Sequence, residues 1–404
     1  MSDLKLYLVT VVFLMNVFVA VESDCILSLK EDFGSPQPVL IQNGGLLAPK
    51  DGAVFVVRSE TLLVACVGDG RYLVLGNETQ DIAVAQAECV SGDLFRVNAW
   101  EGRLKDIRCN HPPWVSVDRT GTPCYGGNEI VSYVVSRVGY RVKTDFLPHY
   151  EACFDQNLQT TLYVRHAVDP ASSWSQGGGR RPPFIDGGLF NTRVSNLYKL
   201  SNQKNMINSL LGDNKDQKYL SKKQFLTRGH LAPRGDFPLR SAQRASFQFV
   251  NAVPQWMRGN AGDWAALEEG IRRRVRSYGR QLTVYTGAYG VMTLPDQDGV
   301  PTELYLYADE NNNLGVPVPM YLYKVIHDEE DNSATAFISI NSSYYNATQL
   351  EELTFCQNIC EDNSKFKWLK WRSNDGTFSF CCEFNEFGEV VQHLAHLNAS
   401  RLFF

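Results

Sequence analysis

Three features of this 404-residue chain predict an α+β fold with a mainly β addition at the N-terminus. Residues 24–150 alternate short apolar runs with Gly, Asp and Asn breaks, as strands joined by tight turns do. Between residues 260 and 276 apolar side chains recur at helical spacing. Beyond residue 280 come three longer runs of strand type. A hydrophobic share of 44% with 12% aromatics is that of an ordinary globular core and excludes a disordered chain. The length leaves room for two or three domains.

The first 23 residues read as a signal peptide. An apolar run over residues 7–20 follows Lys5, too short for a confident membrane span, and cleavage is expected near Ser23. Residues 24–150 read as a cysteine-rich β domain. Ala53–Val57, Thr61–Cys66 and Tyr72–Leu75 are its clearest strands, with breaks at Asp51-Gly52, Gly68-Asp69-Gly70 and Gly126-Gly127-Asn128. Glu129–Val142 adds another β-rich run, and His111 reads as a packed loop residue. Ten cysteines follow the leader, an even number that in an exported chain implies disulfides, whose pairing the sequence leaves open. Four N-glycosylation sequons, at Asn77, Asn341, Asn346 and Asn398, agree with export.

Residues 151–404 read as the second domain. Thr161–His166 is its first strand. The loop at Gly177-Gly178-Gly179 lacks the Lys-Ser/Thr of a P-loop and is expected to be flexible. Tyr198–Leu211 reads as a helix and residues 212–216 as a polar loop without EF-hand spacing. Gln224–Pro233 reads as a short apolar strand ending in a glycine turn that presents His230. Arg234-Gly235-Asp236 is expected to be a structural turn. Phe247–Asn251 alternates like a strand, with Asn251 open between a metal-water contact and a turn cap. Trp264, Leu267, Ile271 and Val275 form one apolar helical stripe that Asn260, Glu268 and Arg272 overlap. Polar groups on a buried helix face are costly unless paired or occupied, which favours a site there. Leu282–Gly287, Val316–Ile326 and Ala334–Ile340 read as central and edge strands of one sheet. In the tail, Cys356-x-x-x-Cys360, Cys381-Cys382 and His393-x-x-His396 could be drawn as a zinc site, but disulfides suit an oxidising compartment better.

Net charge is −5, yet residues 221–280 hold twelve Lys or Arg against four acids. A basic stretch on an acidic body suits a polyanion. Hydrolysis of a phosphodiester needs an activated water, and an imidazole takes such a proton near neutral pH. It also needs a cation, and Mg²⁺ suits because it keeps most of its waters and takes one or two protein oxygens.

The Arg228-Gly229-His230 triplet, the Asn251-x-x-Pro254-Gln255 segment and the helix Asn260-x-Gly262-x-Trp264-x-x-Leu267-Glu268-x-x-x-Arg272 resemble the DNA/RNA non-specific endonucleases. The likeness spans roughly residues 155–345, and the three strand runs match that family's sheet order. It implies a ββα-metal (His-Me finger) nuclease core with a central, mainly antiparallel sheet, beside the disulfide-stapled β domain. It implies His230 as general base, Asn260 as sole direct protein ligand of Mg²⁺, for which Mn²⁺ could substitute, and Glu268 holding metal waters. Arg228 and Arg272 would grip the phosphate. Arg180 or Arg181 would be the arginine that the family brings from the preceding loop; Arg273 and Arg276 come from the basic stretch itself, read as further substrate contacts or as a solvated helix end. The family triplet is usually preceded by Asp, and here Thr227 stands in that place. Secreted arthropod nucleases resemble the overall layout.

The function expected is a secreted, sequence-non-specific endonuclease cutting DNA, double- and single-stranded, and RNA, leaving 5′-phosphate ends. A catalytically weak nucleic-acid-binding scavenger on the same fold is the alternative. No membrane partner is expected, and the oligomeric state is open.

Overall fold

The computed structural model describes residues 23–125, 133–212, 216–361, 364–371, 377–397 and 399–404. The leader, the break at residues 126–128, loop residues 213–215 and the sequon at Asn398 lie outside them. A nine-stranded sheet forms the frame. Its order is Ser116–Pro123, Tyr133–Val142, Asp145–Asp155, Thr160–Val168, Leu282–Val291, Pro319–Asp328, Ser333–Ile340 and Phe378–Glu383, with Arg401–Leu402 also beside Ser333–Ile340. Every pairing is antiparallel except that of the last short strand. The mixed α+β architecture with mostly antiparallel sheets is as the sequence predicts.

Three local expectations change. Pro319–Asp328 lies inside the sheet, and Val316 belongs to the separate strand Leu314–Pro317, paired with Tyr305–Ala308. The run breaks where Val316 takes a left-handed φ of 53° and is followed by Pro317 and Pro319, neither of which has a backbone N–H to pair. Phe247–Asn251 is no strand: Phe249–Asn251 is a 3₁₀ turn, and the strand follows at Ala252–Trp256. The boundary expected at residue 150 falls within the strand Asp145–Asp155, which pairs on both sides, so the sheet starts at Ser116.

The N-terminal region is β-rich. A six-stranded sheet is built around Thr61–Ala65, a strand expected, and Val84–Ser91, which was not; the expected strands at Ala53–Val56 and Leu73–Leu75 form in separate small sheets. All ten cysteines pair, as 25–89, 66–109, 124–153, 356–382 and 360–381. The tail cysteines are thus bridged, which removes them as zinc ligands. His111 is exposed rather than packed. His393, which the sequence reads as a surface or partly packed residue, is a core histidine, buried, hydrogen-bonded to Tyr323 Oη and stacked on Tyr163. Burial pushes its imidazole down to about 3.

The helix Ala265–Tyr278 packs its stripe on the main sheet. Trp264, Leu267, Ile271 and Val275 are at most 2% exposed and share a core with Val284, Leu322 and Ile326. Each buried side chain of that size contributes about 2 kcal/mol. The helix ends at Gly279, left-handed at φ 84°, whose N–H satisfies the Val275 carbonyl.

Candidate active site

The site stands on two strands and one helix. Leu226–His230 pairs antiparallel with Ala252–Trp256, His230 opposite Ala252 and Thr227 opposite Gln255. The expected glycine turn is therefore absent, because Gly229 continues the strand. A Cβ there would meet the Gln255 side chain at 2.4 Å, so only glycine lets that side chain cross. The second strand is pinned from behind by Asn341, buried, which accepts from Trp256 N and donates to the carbonyls of Pro254 and Pro319. Asn251 is fully occupied with the turn ahead of that strand. It accepts from Ala232 N and donates to the carbonyls of Ala232 and Ser246, and it is fully buried and does not line the cleft, so it is a structural cap.

His230, Arg228, Asn260, Glu268, Arg272 and Arg181 line one cleft of about 1020 Å³. The His230 ring lies against Phe184 and Phe247, at 4.9 and 5.1 Å between centroids. Its Nε2 is buried without a hydrogen-bond partner among the described residues. Burial, then the positive charges of Arg181, Lys324 and Arg234, hold the imidazole down to about 3. It is therefore neutral across the physiological range and free to accept a proton.

Asn260 stands in a distorted turn, Asn260–Trp264, that precedes the helix and has a non-helical Gly262. Its Nδ2 donates to Thr227 Oγ1 at 2.9 Å, and that hydroxyl donates to the Gln255 carbonyl at 2.9 Å. With its only proton engaged, Thr227 offers Asn260 a lone pair. The amide is thus oriented with Nδ2 toward Thr227, and Oδ1 has no partner among the described residues. Thr227 therefore supplies an acceptor for this amide, as a carboxylate could.

The Glu268 carboxylate makes no hydrogen bond or ion pair among the described residues. Burial pushes it up to about 7, against the pull of Lys324 and Arg272 and with Asp236 adding to the rise. An amide oxygen and a carboxylate, both unengaged in a cleft, are hard oxygen donors suited to a divalent cation. No three His, Cys, Asp or Glu side chains gather into a metal cage among the described residues. A cation here would keep most of its waters.

Arg272 is held by a relay that the sequence reading missed. Its Nη1 donates to Asp236 Oδ1 at 2.9 Å, and His166 Nε2–H donates to Asp236 Oδ2 at 2.8 Å. Burial raises the Asp236 carboxyl, but the His166 hydrogen bond and Arg272 outweigh it and keep it below the usual range. The Arg-Gly-Asp turn is thus structural, its Asp inside the protein. A Cβ on Gly235 would meet Arg272 Nη1 at 2.8 Å. Lys324 was also missed. It is 1% exposed, donates to the Leu231 carbonyl and Thr286 Oγ1, and lies over the Trp264 ring. A lone lysine inside an apolar strand run was the available signal. Arg228 is clasped by Phe184, Tyr198 and Phe249, 5.1–5.7 Å from each ring.

The remaining sequence-read residues separate. Arg180 lines an adjoining groove that shares Arg181 with the cleft. Arg273 is absent from the cleft and ion-paired to Glu269 at 2.6 Å, one helical turn away. Arg276 stacks on Trp174 at 3.5 Å and lines, with Arg273, a neighbouring depression of about 530 Å³ that shares Arg272 with the cleft. Helical spacing put these two near Arg272 in sequence, but neither lines the cleft: the helix turns Arg273 toward Glu269, and Arg276 lies on the Trp174 ring.

The family profile of DNA/RNA non-specific endonucleases matches residues 128–387. A salivary endonuclease of Lutzomyia longipalpis is 25% identical over 381 residues, spanning 90% of this chain and 82% of that one. Salivary protein Tsal1 of Glossina morsitans morsitans is 26% identical over 397 residues, spanning 93% and 92%. The mitochondrial nuclease EXOG of Danio rerio is 32% identical over 143 residues, spanning 33% and 39%.

Proposed function

The chain belongs to the DNA/RNA non-specific endonuclease family and is a nuclease; from that premise we propose that it is a secreted, Mg²⁺-dependent endonuclease that cuts DNA and RNA without sequence preference and leaves 5′-phosphate ends. The observation that carries the proposal is the meeting, in one cleft, of a neutral unpartnered imidazole with an oriented asparagine, an unpaired carboxylate and two anchored arginines. Secretion is supported by the apolar leader, the salivary relatives and the five disulfides; no described helix is long and apolar enough to cross a membrane.

His230 takes the proton of the water that attacks phosphorus. Its low affinity for protons in the free protein rises once a phosphodiester anion sits beside it, because a nearby negative charge favours imidazolium. Arg228 and Arg272 hold the non-bridging phosphate oxygens as charge builds on them. Their rigid anchoring means little reorganisation is needed at that moment. Asn260 would hold the divalent cation, Mg²⁺ or Mn²⁺, with Glu268 binding its waters, and the cation would supply charge neutralisation at the phosphate and leaving oxygen. Contact with backbone rather than base edges gives little sequence preference and a strong salt dependence.

The test is cleavage of plasmid DNA, single-stranded DNA and double-stranded RNA with Mg²⁺ or with EDTA. His230→Ala and Asn260→Ala should each lose about three orders of magnitude in rate. Retention of most activity by either variant would remove that residue from its role.

A further inference from the structure

Beside the catalytic cleft runs a second groove of about 790 Å³, and Arg181, Arg234 and Phe247 line both. One wall is the short helix Arg240–Ala245, which presents Arg240 and Arg244. The facing wall comes from the N-terminal region, with Gln37 and Pro112 among its residues. The two walls are fastened together. Gln37 Oε1 accepts from Ser241 N at 2.9 Å, and Gln176 Nε2 donates to the Leu29 carbonyl at 2.9 Å. Arg71 stands at the N-terminal side, donating to the Pro112 and Asp69 carbonyls and lying over the Trp114 ring, 5.3 Å from its centroid.

The charge of this groove lacks a counterpart. Arg181, Arg240 and Arg244, which line the groove, and Arg71, which stands beside it on the lining residue Pro112, have no acid within salt-bridge reach among the described residues, although the whole chain is acidic at −5. Burial lowers Arg244, and Arg71 adds to that; burial lowers Arg234, and Arg181 and Arg240 add. Like charges gathered this way destabilise the free protein, and a polyanion would relieve them. Two buried donors are idle as well. Gln37 is 5% exposed, and its Nε2 has no partner among the described residues, nor has Arg240 Nε.

We infer that this groove is a second backbone-binding subsite, holding phosphates of the same nucleic-acid strand that flank the one being cut, with Arg71 of the N-terminal region and Arg244 of the nuclease core as its paired contacts. The inference rests on the nuclease reading. It makes the N-terminal region a part of substrate binding, and it makes a long polynucleotide, rather than a small phosphodiester, the substrate that uses the whole surface.

The deciding experiment is binding of a fluorescein-labelled DNA duplex in EDTA across a salt series, followed by anisotropy. Arg71→Gln/Arg244→Gln should lower the slope of log affinity against log salt by roughly 1.8, since each lost phosphate contact removes about 0.9. Arg244→Lys should keep most of the wild-type slope. Arg244→Gln alone should show about half the change, which covers the case of Arg71→Gln failing to fold. A wild-type slope in both the double variant and Arg244→Gln overturns the inference. Hydrolysis of bis(4-nitrophenyl) phosphate with Mg²⁺ is measured alongside. An unchanged rate in the variants leaves the catalytic cleft intact and assigns any slope change to the groove. Failure of the wild-type protein to cut any diester defeats the nuclease reading instead, while the slopes still decide the groove.

Discussion

The side chains that matter most here are those left without partners. Asn260 is aimed by one hydroxyl, and Thr227→Val removes that acceptor while keeping the shape. The lost hydrogen bond is worth about 1 kcal/mol, so the Mg²⁺ concentration for half-maximal rate should rise several-fold, with Thr227→Ser close to wild type. A rate curve against Mg²⁺ that does not move would remove Thr227 from cation binding. Glu268 sets a second expectation. Its carboxyl is pushed up to about 7, whereas His230 is held to about 3, so the acid limb of the rate–pH profile should belong to Glu268. A bound cation favours the ionised carboxylate, so the limb should move to lower pH as Mg²⁺ rises. Lys324 is the strongest of the charges pulling that carboxyl down, and Lys324→Met should move the limb up. Profiles of kcat/KM at two Mg²⁺ concentrations, for both proteins, check this.

Elements are positioned by buried amides as much as by apolar contact. Asn251, fully buried, ties the end of the His230 strand to the turn before its partner strand. Asn251→Ala would leave an N–H and two carbonyls without partners. The expected cost is about 3 kcal/mol of stability, read as a lower midpoint in urea, with inactivation following unfolding rather than preceding it. The sequence marked Asn251 as notable but left its role open between metal waters and a cap. That choice depends on where Ala232 and Ser246 come to lie, which local pattern does not contain. The same holds for Arg273, whose neighbour in the sequence reading was Arg272 and whose partner in the fold is Glu269.

At the scale of the molecule, two histidines, the half-buried His149 and the buried His393, make the fold sensitive to acid. Burial holds His149 to about 4 and His393 to about 3, both below the usual 6.5. Between those values and 6.5 the unfolded chain binds protons that the folded one does not. Stability is therefore full above pH 6.5 and is lost as pH falls toward 3–4. Thermal midpoints should drop across that window. His149→Phe, which keeps the packing on Tyr140 and Phe237, should make the drop shallower. Glycosylation is also decided at this scale. Asn341 is 4% exposed with both amide atoms bonded, whereas Asn77 and Asn346 are exposed. Glycopeptide mapping of the exported protein should find Asn341 unmodified, and a glycan there would contradict this packing.

The sequence by itself determined the α+β class, the positions of several strands, the helix stripe and the chemical types gathered in the cleft. These are set by local periodicity and by a motif whose members all lie between Arg228 and Arg272, so short-range pattern carries them. Only the tertiary structure decided the rest. Cysteine pairing, the His166–Asp236–Arg272 relay, the lysine beneath Glu268 and the groove shared with the N-terminal region all join residues far apart in the chain. Such contacts depend on how sheets and helices pack against one another, and the spacing of residues along the chain does not encode that packing in readable form.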